Sequence, residues 1–392
     1  MEKKVSVGLI GIGNMGSAHA SAIGGGRIEG LRLAAVCDID PERLRLCLER
    51  NPGVKGYSDW RELVHDGSLD AVIVAVPHPM HAEIAMEALA CGKHVLVEKP
   101  VDISVTKAKA LNEAARRSDR VFGIMFNQRT NPLFAKARQI IKNGELGELQ
   151  RSVWIITNWF RTQSYYDSGT WRATWSGEGG GVLLNQAPHN LDLWQWICGM
   201  PKEVTAFCDI AKYHEIEVED DVTIFARYEN GATGVFITST GEYPGTNRLE
   251  ITGTRGKLVI EEGKLKHWKL GQDALAVSRE AKESFTGIEA EVEVIPQSEP
   301  ETAHAGILKN FADAILYGTE LLAPGTDGIN ELSLSNAAYL SSAKGGVPVS
   351  LPLDGGEFDA LLEKLIQNSK EKNGDPNKKY NTTYHDRWQI RW

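Results

Sequence analysis

The sequence predicts an α/β protein that begins with a doubly wound parallel sheet and continues into a domain built on an antiparallel sheet. Up to residue 126, near-continuous apolar runs alternate with helical stretches, as expected when helices cover both faces of a parallel sheet. Beyond residue 200, apolar residues recur at every second position, which is typical of a sheet with one covered face. The chain has 392 residues, too many for one ordinary core, and this favours two domains.

The first half of the chain is predicted to consist of strands joined by helices. Asp40-Pro41 provides an N-cap followed by proline at the first helical position, and Gly92 follows Cys91 as a C-terminal stop. The predicted strands are 5–10, 33–37, 71–76, 94–97 and 121–126. The predicted helices are 14–23, 41–49, 80–90 and 105–116.

The second half starts at a crossing segment near residues 127–132. Glu229-Asn230-Gly231 is a strong hairpin signal between two of its strands. The predicted strands are 204–210, 222–228, 232–238, 248–252 and 257–260, and the predicted helices are 133–143, 305–317 and 329–343.

The last part of the chain is expected to form an amphipathic helix, 358–367, and then a polar tail. The tail ends in four aromatic residues, Tyr380, Tyr384, Trp388 and Trp392. We expect it to dock on a neighbouring subunit or at the mouth of the active site. The expected domains are therefore 1–127, 128–353 and 354–392.

Composition excludes several classes of protein. A formal net charge of −9 argues against a nucleic-acid partner, since phosphates require a basic surface. No run approaches the roughly 18 apolar residues of a membrane span. Five scattered cysteines without a C-x-x-C pair predict neither a disulfide framework nor a metal site, and they fit a reducing compartment.

The N-terminus superficially resembles a signal peptide, with Lys3-Lys4 before an apolar stretch. Gly8 and Gly11 interrupt that stretch, so a buried first strand explains it better. We therefore expect a cytoplasmic protein.

A dinucleotide loop follows the first predicted strand. In Gly11-x-Gly13-x-x-Gly16, the first glycine allows a tight turn, the second admits the pyrophosphate and the third lets the helix pack on the strand. Asp38 lies 22 residues beyond Gly16, at the end of the second strand. A carboxylate there accepts hydrogen bonds from a free ribose 2′-hydroxyl and repels a 2′-phosphate, which predicts NAD rather than NADP. Asp40 is the alternative, but its position before Pro41 favours a helix cap.

Other residues near the ends of these strands complete the expected cofactor site. They are Asn14, Met15, Pro77, His81, Glu98, Lys99 and Asn127.

A lysine lies at the carboxyl end of the fourth predicted strand, where doubly wound sheets place ligands. Pro100 restricts Lys99 to extended geometry and Glu98 is positioned to orient its ammonium. The alternative is a solvated surface lysine. We expect Lys99 to act in catalysis and to contact both cofactor and substrate.

A histidine begins the helix that follows Gly179-Gly180-Gly181. Pro188 at the first helical position puts His189 in the first turn, where the helix dipole disfavours an imidazolium. A neutral imidazole can accept the proton released in alcohol oxidation. The alternative is a capping or core histidine. Asp192 shares its helical face and is expected to orient the imidazole, bind substrate or remain structural.

Together with Asn127-x-Arg129, these motifs resemble the Gfo/Idh/MocA oxidoreductases, which include glucose–fructose oxidoreductase and inositol 2-dehydrogenase. The resemblance extends through Gly253-Thr254-Arg255-Gly256 to about residue 352. It implies a Rossmann domain and an α/β domain whose large open, mainly antiparallel sheet often mediates oligomers, here a dimer or tetramer. It also implies that Lys99 and His189 are the catalytic pair.

One position departs from the family pattern. Inositol 2-dehydrogenase-like members carry an aspartate four residues before the histidine, where this chain has Asn185. An amide cannot take up a proton as a carboxylate does, so the aspartate's role cannot be transferred. Asn185 is expected to bind a substrate hydroxyl or to cap the helix.

Six of the ten tryptophans lie between Trp154 and Trp196. Flat aromatic faces with polar side chains suit a pyranose, whose C–H faces are apolar. Aromatic residues packing on their own domain are the alternative. The glycine-rich segment 177–181 is expected to flex as a lid. The expected substrate contacts are Lys99, Trp159, Trp171, Arg172, Asn185, His189 and Asp192.

The sequence thus predicts an NAD-dependent dehydrogenase that oxidises a secondary hydroxyl of a pyranose sugar, glycoside or related polyol. One alternative is a myo- or scyllo-inositol dehydrogenase. Another is an NAD-dependent glycoside hydrolase or lyase that works through transient oxidation, and a third is a non-catalytic NAD-sensing regulator.

Overall fold

A computed structural model describes residues 3–369 of the chain. Its first sheet has six strands in the order β3-β2-β1-β4-β5-β6, with parallel pairing throughout. This order reverses direction between β1 and β4, which places the ligand crevice at the carboxyl ends of those strands. The strands are β1 (Val5–Ile10), β2 (Leu31–Cys37), β3 (Lys55–Tyr57), β4 (Ala71–Val74), β5 (His94–Val97) and β6 (Phe122–Ile124).

Helices connect these strands and bury both faces of the sheet. All six residues of β1 are buried, as expected for a central strand of a doubly wound sheet. The helices are α1 (Asn14–Gly24), α2 (Pro41–Arg50), α3 (Trp60–Val64), α4 (His81–Ala90) and α5 (Val105–Arg116).

The second sheet has nine strands in the order β14-β13-β12-β11-β7-β10-β9-β8-β15. All its pairs are antiparallel except β7 with β10, so the sheet is mixed and mainly antiparallel. The strands are β7 (Leu149–Ile156), β8 (Glu203–Ile210), β9 (Glu219–Arg227), β10 (Thr233–Ser239), β11 (Asn247–Gly253), β12 (Gly256–Glu261), β13 (Lys264–Leu270), β14 (Ala290–Pro296) and β15 (Val349–Ser350).

Helices cover one face of this sheet. Trp194 stacks on Phe236 of β10 with ring centroids 5.5 Å apart, and Phe134 contacts Trp154 of β7 at 5.6 Å. The helices of this half are α6 (Pro132–Lys142), α7 (Gln163–Asp167), α8 (Val182–Asn185), α9 (Pro188–Cys198), α10 (Ala274–Glu280), α11 (Ala303–Tyr317), α12 (Gly328–Ala343) and α13 (Gly355–Gln367).

The predicted fold class is confirmed, with differences in individual elements. The short edge strand β3 and the strands β13 and β14 were not predicted, and neither was β7, which lies at the centre of the second sheet. The predicted hairpin at Glu229-Asn230-Gly231 joins β9 to β10, with Gly231 at φ 85°.

We propose residue 127 as the boundary between the two domains, because the first sheet ends at β6 and the second begins at β7. The C-terminal helix α13 returns to the first domain, where Asp359 accepts a 2.6 Å hydrogen bond from the Ser104 hydroxyl at the start of α5. The aromatic residues predicted to dock the tail lie outside the described residues.

Within residues 3–369, we find no helix that combines the length and the apolar character needed to cross a membrane.

Candidate active site

The glycine loop after β1 has the geometry its motif predicts. Gly11 has φ 90°, and a Cβ there would lie 2.4 Å from the Ala75 carbonyl oxygen. A Cβ at Gly16 would lie 1.8 Å from the carbonyl oxygen of Gly11, so α1 packs directly on the turn. A Cβ at Gly13 would meet nothing within 4 Å. The loop therefore offers open backbone at Gly13, next to the N-terminus of α1, as a dinucleotide pyrophosphate requires.

Asp38 braces this loop from the end of β2. Its Oδ2 accepts a hydrogen bond of 2.6 Å from the Ile12 amide, and its Oδ1 accepts one of 2.9 Å from the Asp40 amide. Each carboxylate oxygen keeps a second lone pair that a ribose hydroxyl can use. Asp40 is the cap of α2, because its side chain accepts from the amides of Glu42 and Arg43.

Two other residues of the expected cofactor site lie near the sheet edge. Pro77 is exposed after β4. Asn127 is buried, and its Oδ1 has no hydrogen-bond partner among residues 3–369. An orphaned buried carbonyl oxygen at this edge suits a donor on a bound ligand.

His81 differs from its predicted role as a cofactor contact. Its ring is buried, with Nδ1 2.6 Å from the Pro100 carbonyl oxygen and Nε2 2.8 Å from that of Val76. The ring therefore holds together the loops that follow β4 and β5, and both of its nitrogens are engaged by backbone carbonyls.

Glu98 lies at the carboxyl end of β5 and is buried. Its Oε1 lies 2.7 Å from Nε2 of His19, and its Oε2 accepts from the Lys99 amide at 3.3 Å. Burial alone would raise the pKa of Glu98, but the hydrogen bond and charge of His19, with the charges of His304 and Lys99, lower that pKa to about 2. The carboxylate is thus a fixed negative charge behind the lysine.

Lys99 precedes a cis peptide bond to Pro100. Its ammonium donates a hydrogen bond of 2.8 Å to the backbone carbonyl of Asn185. This differs from the prediction that Glu98 orients the ammonium directly. Burial lowers the pKa of Lys99, while the charges of Glu98, Glu178 and Glu331 oppose that shift.

His189 lies in the first turn of α9 and is 4% exposed. Within residues 3–369, its Nδ1 has no hydrogen-bond partner. Burial and the positive charges of Lys99 and His304 lower the pKa of His189 well below its usual value. The imidazole is therefore neutral, as predicted, although burial rather than the helix dipole is the main cause.

The structure brings Lys99 and His189 to one region, since the carbonyl that holds Lys99 lies four residues before His189. The short helix α8 carries Asn185 and leads directly into α9. A chain of 86 positions separates Lys99 from its partner Asn185. The contact between the two domains thus assembles the candidate pair.

Asn185 has protein partners for its side chain. Its Nδ2 donates to Glu178, and its Oδ1 accepts from the Tyr165 hydroxyl at 3.3 Å and from Gln186 at 3.2 Å. Both lone pairs of Oδ1 are used, which argues against the predicted hydrogen bond from a substrate hydroxyl. The residue instead positions its own backbone carbonyl under Lys99.

Glu178, which sequence reasoning missed, organises the wall beside this carbonyl. It is 1% exposed, and its Oε2 accepts from the Ala173 amide at 2.5 Å. Arg172 Nη1 lies 3.8 Å from Glu178 Oε1 and donates to the Tyr165 hydroxyl at 2.7 Å. Burial raises the pKa of Glu178 against the opposing charge of Arg172. A charged residue inside a glycine-rich segment was the available signal.

His78 is the second residue that was missed. It is buried, its Nδ1 lies 3.1 Å from the Glu178 carbonyl oxygen, and its ring contacts Trp171 edge-on at 6.2 Å. Its position between Pro77 and Pro79, just after β4, was the available signal.

The tryptophans divide between surface and core. Trp171 is 36% exposed and lies under the Arg172 guanidinium at 4.6 Å, so it can face a substrate. Trp159, a predicted substrate contact, is 5% exposed, and Trp175 is buried to the same extent. Both indole rings are large and mostly apolar, and both pack into the interior of the domain.

Asp192 makes structural contacts, which is one of the three alternatives expected for it. It is 1% exposed and forms a two-point ion pair with Arg129, with distances of 2.9 Å and 2.7 Å. Arg129 also bonds Asp327 at 2.8 Å. The pair joins α9 to the turn after β6 and to the start of α12.

The glycine triplet is tightly packed, which differs from the predicted flexible lid. A Cβ at Gly180 would lie 2.1 Å from the Tyr339 hydroxyl, and one at Gly181 would lie 2.0 Å from the Glu219 carbonyl oxygen. The glycines allow α8 to approach β9 and α12, and they fix the carbonyl of Asn185.

Two family models match the chain. The one described as the oxidoreductase family with an NAD-binding Rossmann fold matches residues 5–126. The GFO/IDH/MocA C-terminal domain matches residues 134–259.

Characterised relatives cover most of the chain. The scyllo-inositol 2-dehydrogenase (NAD(+)) of Bacillus subtilis is 27% identical over 365 residues, which cover 90% of this chain and 97% of the relative. The levoglucosan dehydrogenase of Pseudarthrobacter phenanthrenivorans is 27% identical over 290 residues, 66% of this chain and 74% of the relative.

Among solved structures, the WlbA dehydrogenase from Bordetella pertussis in complex with NADH and UDP-GlcNAcA has a TM-score of 0.74. It is 25% identical, and the match covers 90% of this chain and 100% of that one. The likeness therefore spans both sheets.

Proposed function

The chain belongs to the GFO/IDH/MocA oxidoreductase family, and from this premise we propose that it is an NAD-dependent dehydrogenase for a secondary hydroxyl of a pyranose sugar, glycoside or related polyol. Relatives named for inositol and levoglucosan support the substrate class. The glycine loop and the placement of Asp38 support NAD.

One observation carries the proposal: the Lys99 ammonium lies near enough to the His189 imidazole for its charge to lower the pKa of that histidine. Lys99 uses one of its three N–H donors on the Asn185 carbonyl, so two remain for a ligand. A neutral imidazole can accept the proton of a carbinol hydroxyl, and an ammonium beside it can stabilise the alkoxide that forms.

In the mechanism, His189 takes the hydroxyl proton and Lys99 stabilises the negative charge that grows on the carbinol oxygen. The carbonyl of Asn185 holds the ammonium in place, and the charge of the buried Glu98 carboxylate favours its charged form. When bound, NAD supplies the redox chemistry by accepting the hydride from the carbinol carbon. Asp38 and the glycine loop would hold the cofactor.

The experiment is a substrate panel followed by variants. Free sugars, aryl glycosides, inositols and anhydrosugars are incubated with NAD or NADP, and reduced cofactor is followed by absorbance. With the best substrate, Lys99→Ala and His189→Ala should each lower kcat by roughly 100- to 10,000-fold while NAD affinity, measured by calorimetry, stays close to wild type.

Lys107→Ala, which removes an exposed lysine of α5, is the matched control and should leave kcat unchanged. Activity within threefold of wild type for both site variants would rule out the mechanism. Product formed without reduced cofactor would instead indicate a hydrolase or lyase that works through transient oxidation.

We also propose a homo-oligomer assembled through the open face of the second sheet. Four apolar side chains that are only partly buried lie side by side there: Val153, Ile155, Val235 and Ile237. Phe207 is 60% exposed.

A cytoplasmic location is part of the proposal, supported by five unpaired cysteines in the described residues.

A further inference from the structure

We propose that His65, Glu87 and Cys91 form a site for a divalent transition metal, with zinc as the metal that fits best. Glu87 lies in the last turn of α4 and Cys91 directly follows that helix, one turn on from Glu87. His65 directly follows α3, which packs beside α4. The site is on the surface of the first domain, with His65 61% and Glu87 44% exposed, so a metal from solution can reach it.

The three ligand atoms have the spacing of a metal site. His65 Nε2 lies 3.6 Å from Cys91 Sγ and 3.6 Å from Glu87 Oε1, and Cys91 Sγ lies 3.9 Å from Glu87 Oε1. Zinc bonds of about 2.0–2.3 Å at tetrahedral angles would put such ligands about 3.4–3.6 Å apart. A cation at the centre could therefore bind all three atoms if they moved only slightly closer together.

The positions of the protons in the triad also favour the binding of a cation. Nδ1 of His65 lies 2.8 Å from the carbonyl oxygen of Arg61, which can only accept, so Nδ1 carries the ring proton. Nε2 then presents a lone pair towards a carboxylate oxygen and a sulfur atom. The thiol provides a single proton for two acceptor atoms, Nε2 of His65 and Oε1 of Glu87. A metal ion binds all three ligand atoms at once, and the bond from Nδ1 to a backbone carbonyl is the usual support of a metal-bound histidine.

The ligand types select the metal. A thiolate is a poor ligand for Mg²⁺ or Ca²⁺, whereas one sulfur, one imidazole nitrogen and one carboxylate oxygen suit Zn²⁺. On binding, Cys91 loses its proton to solvent, and the charges of the thiolate and of Glu87 balance the ion. The ammonium of Lys93, two residues after Cys91, is engaged elsewhere, since it donates to the carbonyls of Asp66 and Leu69 at 2.8 Å. The fourth position is left for water.

The site lies away from the candidate active site. His65 precedes β4 and Cys91 precedes β5, so both lie at the amino edge of the first sheet, whereas Lys99 lies at the carboxyl edge. A metal there would link the ends of α3 and α4. It would stabilise the folded chain without entering the reaction.

The experiment uses the full chain, stripped with a chelator and titrated with Zn²⁺ or Co²⁺. We expect one equivalent of Zn²⁺ by calorimetry, and a thiolate-to-cobalt absorption band with Co²⁺. Cys91→Ser should abolish the band, and His65→Ala and Glu87→Gln should each weaken zinc binding at least about 10-fold. Zn²⁺ should raise the unfolding temperature of the wild type but not of Cys91→Ser.

Cys208→Ser and Glu83→Gln are the matched controls, and both should bind zinc like the wild type. Turnover with NAD should not depend on zinc, so failure of this proposal leaves the proposed function untouched. Absence of stoichiometric binding, or a cobalt band that persists in Cys91→Ser, would overturn the proposal.

Discussion

The Lys99 ammonium is held by a backbone carbonyl, and this matters for its charge. A carboxylate in direct contact would neutralise the ammonium and compete with a substrate oxygen for it. The carbonyl of Asn185 fixes the same position while leaving the positive charge available. Glu98, paired with His19, acts on the ammonium from a distance.

The pH dependence of oxidation should follow these two groups. Only neutral His189 can accept a proton, and burial lowers its pKa well below 6.5. The acid limb of kcat/KM should therefore lie below pH 6.5. Burial also lowers the pKa of Lys99 below 10.5, so the rate should fall on the alkaline side earlier than for an ordinary lysine. Rates measured across this range would contradict the assignment if the acid limb lay at or above pH 6.5.

The Glu178→Gln variant should show whether Glu178 positions the Asn185 carbonyl or only stabilises the fold. The substitution keeps the shape but removes the carboxylate that lies near Arg172 and bonds Asn185. We expect kcat to fall about 10- to 100-fold through displacement of the Asn185 carbonyl, with NAD affinity unchanged. Glu215→Gln, at an exposed position, is the control. An unchanged kcat with lowered thermal stability would show that Glu178 supports the fold only.

At the scale of elements, local signals located several boundaries well. The Asp40 cap of α2, the Pro188 start of α9 and the Gly231 hairpin follow from the chemistry of single residues. Strand β7 was missed even though Ser152, Trp154 and Ile156 alternate as buried residues. The charged Arg151 and the polar Gln150 and Ser152 interrupt its apolar run, and its central place depends on pairing with the distant strands β10 and β11.

The glycine triplet should be intolerant of side chains. Gly181→Ala would place a Cβ 2.0 Å from the Glu219 carbonyl oxygen, and backbone cannot move as a side chain can. We expect a loss of about 1–3 kcal/mol in the free energy of unfolding, measured by denaturant titration. Gly67→Ala, where a Cβ would meet nothing within 4 Å, is the control and should be neutral or slightly stabilising. Equal stabilities of the two variants would favour the flexible-lid interpretation.

At the scale of the whole molecule, the second sheet is asymmetric. Phe236 and Ile224 face the helices and are fully buried, whereas Ile237 and Phe225 on the opposite face are partly exposed. A partly exposed apolar patch on a sheet face is typical of a subunit interface.

The oligomer should therefore be sensitive to charge on that face. We expect light scattering after size exclusion to give a dimer or tetramer for the wild type, and a smaller species for Ile155→Glu combined with Ile237→Glu, because burying carboxylates is costly. Lys136→Glu, at an exposed position of α6 on the covered side of the sheet, should leave the assembly unchanged. A monomeric wild type would refute the proposal.

The sequence by itself determined the fold class, the dinucleotide loop, the Lys99 and His189 candidates and the family. These depend on short motifs whose residues are close along the chain, so local spacing carries their signal.

Tertiary structure alone decided what those residues touch. The Asn185 carbonyl holds Lys99 across 86 positions, Asp192 pairs with Arg129 across 63, and His81 turns towards two backbone carbonyls. A buried polar side chain must find a partner, and the fold rather than the sequence neighbourhood determines which partner is within reach.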